Sequence, residues 1–232
     1  MKNILIIVSL IMVCSFTSAQ VITKKEIEEH TNLGGVPWLD KAAELSHQYN
    51  LNDNGELTLY TIKEYKGQSK AQLYQKIFNW ILAMSSNDKS VLLVSNETSG
   101  QIQARYYIPD IAKRTIGSIS YIVSIRPLLK FDFKEERIRF TFALQTFDIL
   151  KKDTDSGYSI MSSGDYGFTS HGVTKDNHVW QLKDCYPFAE KRKHPKVTSS
   201  RAFVNTLSCY DILVERIDEV LQKPLSAEDE NW

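Results

Sequence analysis

The stretch that decides the fold lies in the middle of the chain, where residues 119–145 read ISYIVSIRPLLKFDFKEERIRFTFALQ. Large apolar side chains occupy most odd positions from Ile119 to Phe133, and mainly polar side chains lie between them. This period of two is typical of a β-strand with one buried face. Pro127 interrupts the pattern, so we expect an edge position or a bulge there.

A second alternating segment follows the polar turn Lys134-Glu135-Glu136. Its apolar residues are Ile138, Phe140, Phe142 and Leu144. The two segments are predicted to form an antiparallel hairpin with their large aromatic side chains on one face.

Upstream of the hairpin, the chain predicts a strand, a helix and two short strands. Leu57–Tyr65 is rich in β-forming residues. Ser69 and Gln72 have the spacing of a capping box, and apolar side chains recur at helical spacing over 70–85. The apolar segments 91–94 and 102–108 then predict the two strands.

The end of the chain predicts a long helix. After Thr198, apolar residues step by four and three positions until Pro224 ends the pattern. The element order is therefore β-α-β-β-β-β followed by this helix. It predicts an α+β fold in which one antiparallel sheet of about five strands has helices packed on one face.

The first residues predict export. Ile4 to Phe16 is apolar, and Thr17 and Ala19 occupy the positions that a signal peptidase reads. The apolar run is too short to span a bilayer core of about 30 Å, so we expect cleavage rather than an uncleaved anchor. Val13 disfavours lipid attachment at Cys14, and no later stretch predicts a transmembrane segment. The mature chain would lie in the periplasm, at the cell surface or outside the cell.

These patterns divide the chain into six segments. We predict a signal peptide over 1–19, a helical lead-in over 20–55, an α+β core over 56–150, a long loop or insertion over 151–197, the C-terminal helix over 198–224 and a tail over 225–232.

The long loop is a candidate interaction surface. A loop of this length in a compact domain is either functional or flexible. Its aromatic residues, Tyr158, Tyr166, Phe168 and Trp180, are of the kind that contact proteins or glycans. The alternative is that the loop folds back and buries them.

Charge argues against nucleic acid as a partner. The chain has 28 Lys and Arg against 28 Asp and Glu, whereas phosphate binding needs a basic surface. We expect a protein or an envelope component instead.

Cys185 and Cys209 are the cysteines that remain after cleavage. Export and an even count predict a disulfide if the fold brings their Cα atoms within about 7 Å. The alternative is two separately buried thiols.

Catalytic motifs are weak. Cys185 with His171 and His178 would be the candidate site of a Cys/His hydrolase, but no flanking motif supports it. The histidines and cysteines have no metal-ligand spacing, and the glycines form no phosphate loop, so we predict no metal and no cofactor.

A family resemblance adds to this reading. The resemblance rests on Leu57–Tyr65, the segment Ser69-Lys70-Ala71-Gln72-Leu73-Tyr74, Trp80 and the following hairpins. These features are similar to those of a bacterial domain of unknown function from exported Bacteroidetes proteins. Cys185-Tyr186-Pro187 is also similar to members of that family. The resemblance covers residues 56–150, and more weakly extends to 222. It implies a fold like that of the TATA-box-binding protein (TBP) and brings no catalytic residues, and its fold does not by itself imply DNA binding.

Together these observations predict an exported, non-enzymatic binding or assembly module of the cell envelope. The alternative is the hydrolase with a site near Cys185, His171 and His178.

Overall fold

The computed structural model describes residues 22–31, 33–84, 90–154, 173–190 and 192–223. The elements are, in chain order, α1 (Lys24–His30), α2 (Trp38–Gln48), β1 (Leu57–Glu64), α3 (Lys70–Met84), β2 (Val91–Asn96), β3 (Gln101–Arg105), β4 (Ile108–Ile116), β5 (Ile119–Ile125), β6 (Leu128–Lys134), β7 (Arg137–Leu144), β8 (Thr146–Thr154), β9 (Val173–Gln181), α4 (Leu182–Cys185) and α5 (Lys196–Gln222).

The strands form two antiparallel sheets. Sheet A has the order β1-β7-β6-β3-β2, and sheet B has the order β4-β5-β8-β9. Sheet A contains the predicted five strands, and its helices include the predicted long C-terminal helix, so the α+β prediction is confirmed. Sheet B combines β5, which is part of a predicted strand, with β4, β8 and β9, which the sequence pattern did not reveal.

The predicted aromatic hairpin is confirmed as β6 and β7. Phe131 lies opposite Phe140, and Leu129 lies opposite Phe142. All of these side chains are buried, and the Phe131 and Phe140 rings stack with centroids 5.1 Å apart. Alternation works here because one face of the hairpin packs on helices.

Pro127 is a break between sheets, where we expected an edge position or a bulge. The predicted continuous strand is two strands: β5, which pairs with β4 and β8, and β6, which pairs with β3 and β7. Proline has no N–H to continue a ladder, and the Pro127 carbonyl accepts a bond from the Tyr106 N–H at 3.1 Å. The chain leaves sheet B and enters sheet A at this residue.

The predicted loop over 151–197 contains regular structure. Residues 173–181 form β9 along β8, and residues 182–185 form α4. The loop prediction does not hold for these residues. β9 is the edge strand of sheet B, and residues 174–179 are all exposed, so no buried face imposes an apolar alternation on its sequence.

Helix α5 is the central element of the core. Nearly every residue from Thr198 to Cys209 is buried. Its Tyr210 ring stacks on Phe140 at 5.9 Å, and Phe203 stacks on Phe188 at 4.1 Å. Its buried polar groups include Asn205, whose Nδ2 donates to the Ile111 carbonyl at 2.5 Å.

The lead-in helices dock on α5. Thr23 and Glu26 form the capping box that begins α1, and Glu26 also pairs with Arg216 of α5 at 2.6 Å. Trp38 of α2 lies under the Arg201 guanidinium, 5.0 Å from its ring centroid. Within the described ranges, no helix has both the length and the apolar character needed to cross a bilayer.

Candidate functional site

One face of sheet A, here called the outer face, is open to solvent. It consists of the even positions of β1 and β6, the odd positions of β7 and β3, and Val91, Val94 and Asn96 of β2. The opposite face is covered, because Tyr74 of α3 contacts Phe133 and Tyr210 of α5 contacts Phe142. Both helices therefore lie on one side of the sheet.

Two large apolar side chains of β1 project from the outer face. Tyr60 is 66% exposed and Ile62 is 52% exposed. They lie opposite Thr141 and Arg139 of β7. Large apolar side chains on an open sheet face are the feature that distinguishes an interaction surface from ordinary polar surface.

The charges on the outer face are largely paired with one another. Arg139 donates from Nε and Nη2 to Asp132 at 2.9 and 2.7 Å, and Arg137 donates to Glu64 at 3.0 Å. The face is therefore an apolar and aromatic patch framed by ion pairs. Tyrosine and arginine are enriched in this way at protein interfaces.

A groove of about 550 Å³ lies where β1 ends against the last turns of α5. At its base, Lys63 Nζ and Tyr65 Oη both donate to the Asp218 carboxylate. Burial, together with the neighbouring Asp218 charge, raises the pKa of Tyr65 well above its ordinary value. The tyrosine is therefore a neutral donor that joins β1 to α5.

The end of α5 is held by two side chains from the α3 region. Gln68 Nε2 and Lys76 Nζ each donate to the Leu221 carbonyl at 2.8 Å, and Lys76 also donates to Gln68 Oε1 at 2.8 Å. Cations and donors at a helix C-terminus satisfy carbonyls that lack a partner within the helix. The polar groups of this groove are thus engaged in holding the fold together.

Cys185 and Cys209 are free, buried thiols and do not lie at disulfide distance. The proposed disulfide is therefore corrected. Cys185 ends α4 just before Phe188, which packs on Phe203. Cys209 lies six residues further along α5, about 9 Å by helix rise. The two thiols are therefore buried in different parts of the core.

The thiol chemistry also opposes the hydrolase interpretation. Burial, with a contribution from Asp184, raises the pKa of Cys185 to about 12. Burial likewise raises the pKa of Cys209. A nucleophile must be a thiolate that the substrate can reach, and Cys185 is neither ionised at neutral pH nor exposed.

His178 does not join Cys185 in a site. It is exposed on β9, and its Nε2 lies 2.8 Å from Asp176 Oδ2. His171 lies outside the described residues. In the part of the chain that is described, no three His, Cys, Asp or Glu side chains cluster as metal ligands.

One of the four aromatic residues of the candidate interaction loop, Trp180, lies among the described residues. Tyr158, Tyr166 and Phe168 lie outside the described residues. Trp180 is buried in β9, where its ring stacks on His194 at 4.4 Å. Trp180 is therefore a packing residue, which for this position agrees with the alternative that the aromatic residues are buried.

Sequence reasoning missed Tyr60 and Ile62 as site residues. Both were assigned to a strand, but β1 is apolar at adjacent positions, so the pattern does not reveal which side chains face solvent. The signal that could have found them is this departure from alternation on a strand followed by a helix.

The middle of the chain matches a known protein family. Residues 60–148 match the family described as a domain of unknown function (DUF4468) with TBP-like fold. A TBP-like protein from Parabacteroides distasonis is 14% identical, with a TM-score of 0.47 over 75% of this chain and 97% of that chain. A DUF4468 family protein from Bacteroides ovatus is 13% identical, with a TM-score of 0.46 over 77% of this chain and 92% of that chain. No curated protein matches the chain. Over residues 60–148 the chain therefore carries a domain of the DUF4468 family, with its TBP-like fold.

Proposed function

We propose that this chain is a non-enzymatic binding or assembly module of the cell envelope, and that a protein or other envelope component binds the outer face of sheet A. The observation that carries the proposal is the exposure of Tyr60 and Ile62 on that face. Neighbouring exposed apolar side chains on an open sheet face mark a candidate interaction site.

The chemistry of the remaining groups supports binding rather than catalysis. The buried Cys185 thiol has a raised pKa, and Asp218 accepts from both Lys63 and Tyr65. These groups are committed to the core and to a structural contact. Equal numbers of acidic and basic residues favour a partner other than nucleic acid.

Export through residues 1–19 is part of the same proposal. It places the partner in the periplasm, at the cell surface or outside the cell. Mass spectrometry of the protein recovered from fractionated cells tests this step. A chain that begins at Gln20 in a fraction outside the cytoplasm supports export, and an intact N-terminus in the cytoplasm contradicts it.

A photo-crosslinking amino acid at position 60 tests the binding face. The full chain carrying it is expressed in its own host and irradiated, and the adducts are identified by mass spectrometry. Val179 is the matched control position, because it is also exposed on a strand but belongs to sheet B. We expect a defined adduct from position 60 and none of the same mass from position 179. Identical adducts from both positions, or none from position 60, would refute the proposed face.

A further inference from the structure

The strands of the outer face carry an excess of positive charge. The carboxylates of this face are Glu64 and Asp132, and both are bonded to arginines of the same face. Its other charged side chains are Arg105, Lys130 and Lys134. Five cations, these three and the two bonded arginines, therefore stand against two carboxylates. The whole chain has 28 basic and 28 acidic residues, so the remainder of the chain carries a negative excess.

The three cations are not neutralised by the described parts of the chain. Arg105 and Lys134 are exposed, and Lys130 is half-buried. Across the described ranges, no ion pair involves any of them. Lys134 also lies directly opposite Arg137 in the register of β6 and β7, and like charges at opposed positions destabilise a strand pair. An anion bound at this end of the face relieves that repulsion.

The three cations form a stripe along β6. Arg105 of β3 lies opposite Leu128, at the start of β6. Lys130 and Lys134 follow on the same face of that strand. At about 3.4 Å per residue, the distance along β6 from Leu128 to Lys134 is about 20 Å. The stripe is therefore long enough to contact several residues of an extended segment.

The exposed apolar side chains lie beside this stripe. Tyr60 pairs with Thr141, and Thr141 pairs with Lys130. Two strand spacings, about 10 Å, therefore separate the positions of the tyrosine and the lysine. Because the threonine between them is small, one bound segment can contact both side chains.

We propose that the occupant of the outer face is an acidic segment of another protein, with a large apolar side chain near its carboxylates. The inference rests on the proposed function and names the chemistry of the partner. Arg105, Lys130 and Lys134 attract the carboxylates, and Tyr60 and Ile62 contact the apolar side chain. Charge complementarity of this kind gives an interface its specificity and speeds association.

The spacing of the cations favours a polypeptide over a polymer of phosphates. Three cations over about 20 Å correspond to one charge for every two or three residues of an extended chain. Duplex nucleic acid instead carries a charge about every 1.7 Å along its axis. Arg137 and Arg139, whose planar guanidinium groups would suit phosphate, are already bonded to carboxylates. The face therefore matches spaced carboxylates better than closely spaced phosphates.

Fluorescence anisotropy with two labelled polypeptides tests the proposal on the purified chain. Poly-L-glutamate supplies carboxylates alone, and a glutamate–tyrosine copolymer of the same length adds apolar side chains. The chain should bind both at low ionic strength and less tightly as salt is added, because exposed charges are screened. It should bind the copolymer more tightly, because Tyr60 and Ile62 then also contribute.

Charge reversal on the stripe should weaken both complexes. Lys130→Glu and Lys134→Glu should each lower the affinity about fivefold or more, because each removes an attraction and adds a repulsion. Lys175→Glu is the matched control, since it makes the same change at an exposed lysine on β9 of sheet B. Its effect should stay below about twofold. Tyr60→Ala should lower the affinity for the copolymer to that for poly-L-glutamate, and circular dichroism verifies that each variant is folded.

The outcomes separate the acidic partner from the binding face itself. Equal effects of Lys130→Glu and Lys175→Glu overturn the acidic partner, and a copolymer advantage that Tyr60→Ala leaves intact contradicts the face. A chain that binds neither polypeptide also overturns the acidic partner, while cross-linking at position 60 still tests the face. Phosphatidylglycerol vesicles and polyphosphate are titrated in parallel. Binding to either of these without binding to the polypeptides overturns the proposal in favour of a membrane surface or a phosphate polymer.

Discussion

Replacing Phe140 with alanine tests the central packing contact of the fold. The Phe140 side chain is fully buried on the inner face of sheet A. Its ring stacks on Phe131 at 5.1 Å and on Tyr210 at 5.9 Å. The residue therefore joins the predicted hairpin to helix α5, and its loss affects both.

The expected loss of stability follows from this packing. Truncation of a buried phenylalanine to alanine costs about 3–5 kcal/mol, which includes the cavity that remains. Aromatic pairs contribute about 0.5–1.5 kcal/mol each beyond their buried area. Since Phe140 has two such partners, we expect a loss of at least the middle of that range, about 4 kcal/mol. This is a large share of the roughly 5–15 kcal/mol that stabilises a typical domain.

Urea denaturation followed by circular dichroism measures this loss. With a denaturant dependence of about 2 kcal/mol per molar urea, the midpoint should fall by about 2 M. Tyr60→Ala is the matched control, because it removes an aromatic side chain from the exposed face of the same sheet. Its free energy of unfolding should change by about 0.5 kcal/mol or less. Equal losses in the two variants, or a loss below about 1 kcal/mol for Phe140→Ala, would refute the assignment of the two faces.

Three further predictions concern other parts of the chain. In the processed chain, Cys185 and Cys209 should be unreactive toward a thiol reagent in the native state and count as two free thiols after unfolding without reductant. A count of zero free thiols would instead support the predicted disulfide. Burial lowers the pKa of His194 below its ordinary value of 6.5, so the unfolded state binds the proton more readily and stability falls as pH drops below that value. His194→Gln should remove this part of the decrease in Tm between pH 7 and 5, and an unchanged decrease would contradict it. Asp218→Asn removes a charge that accepts hydrogen bonds from two donors on or next to β1. It should lower the free energy of unfolding, measured by urea denaturation, by about 1–2 kcal/mol. Glu219→Gln, at an exposed neighbouring position, is its control and should cost much less.

The elements that pack one defined face against the core could be predicted from sequence. β6 and β7 alternate cleanly because their inner face meets α3 and α5 and their outer face meets solvent. Helix α3 and the second half of α5 show the same logic at helical spacing. A single buried face produces a periodic pattern of apolar residues in the sequence, and each of these elements has such a face.

The sequence shows no comparable pattern that identifies sheet B. Alternation continues with the same parity from Ile125 to Leu129, so residues 119–133 look like one strand although the chain changes sheets at Pro127. β9 carries exposed side chains on both faces over 174–179, which gives it the composition of a loop. Which strands pair is decided by contacts distant in sequence, and local patterns do not contain them.

The position of the cysteines illustrates the same limit. The predicted export made a disulfide plausible, but pairing requires two Cα atoms within about 7 Å. That distance depends on how α4 and α5 pack, which the residues around Cys185 and Cys209 do not encode. Trp180 is similar: its neighbours predict a loop, and its burial against His194 follows from the pairing of β9 with β8.

The candidate surface follows from a conflict between local pattern and topology. β1 has Leu57 and Leu59 on its buried face and Tyr60 and Ile62 on the other. A strand that is apolar on both faces is typical of the interior of a covered sheet. Here β1 is instead an edge strand whose outer face meets solvent. Apolar side chains that the chain itself does not cover are consistent with covering by a partner.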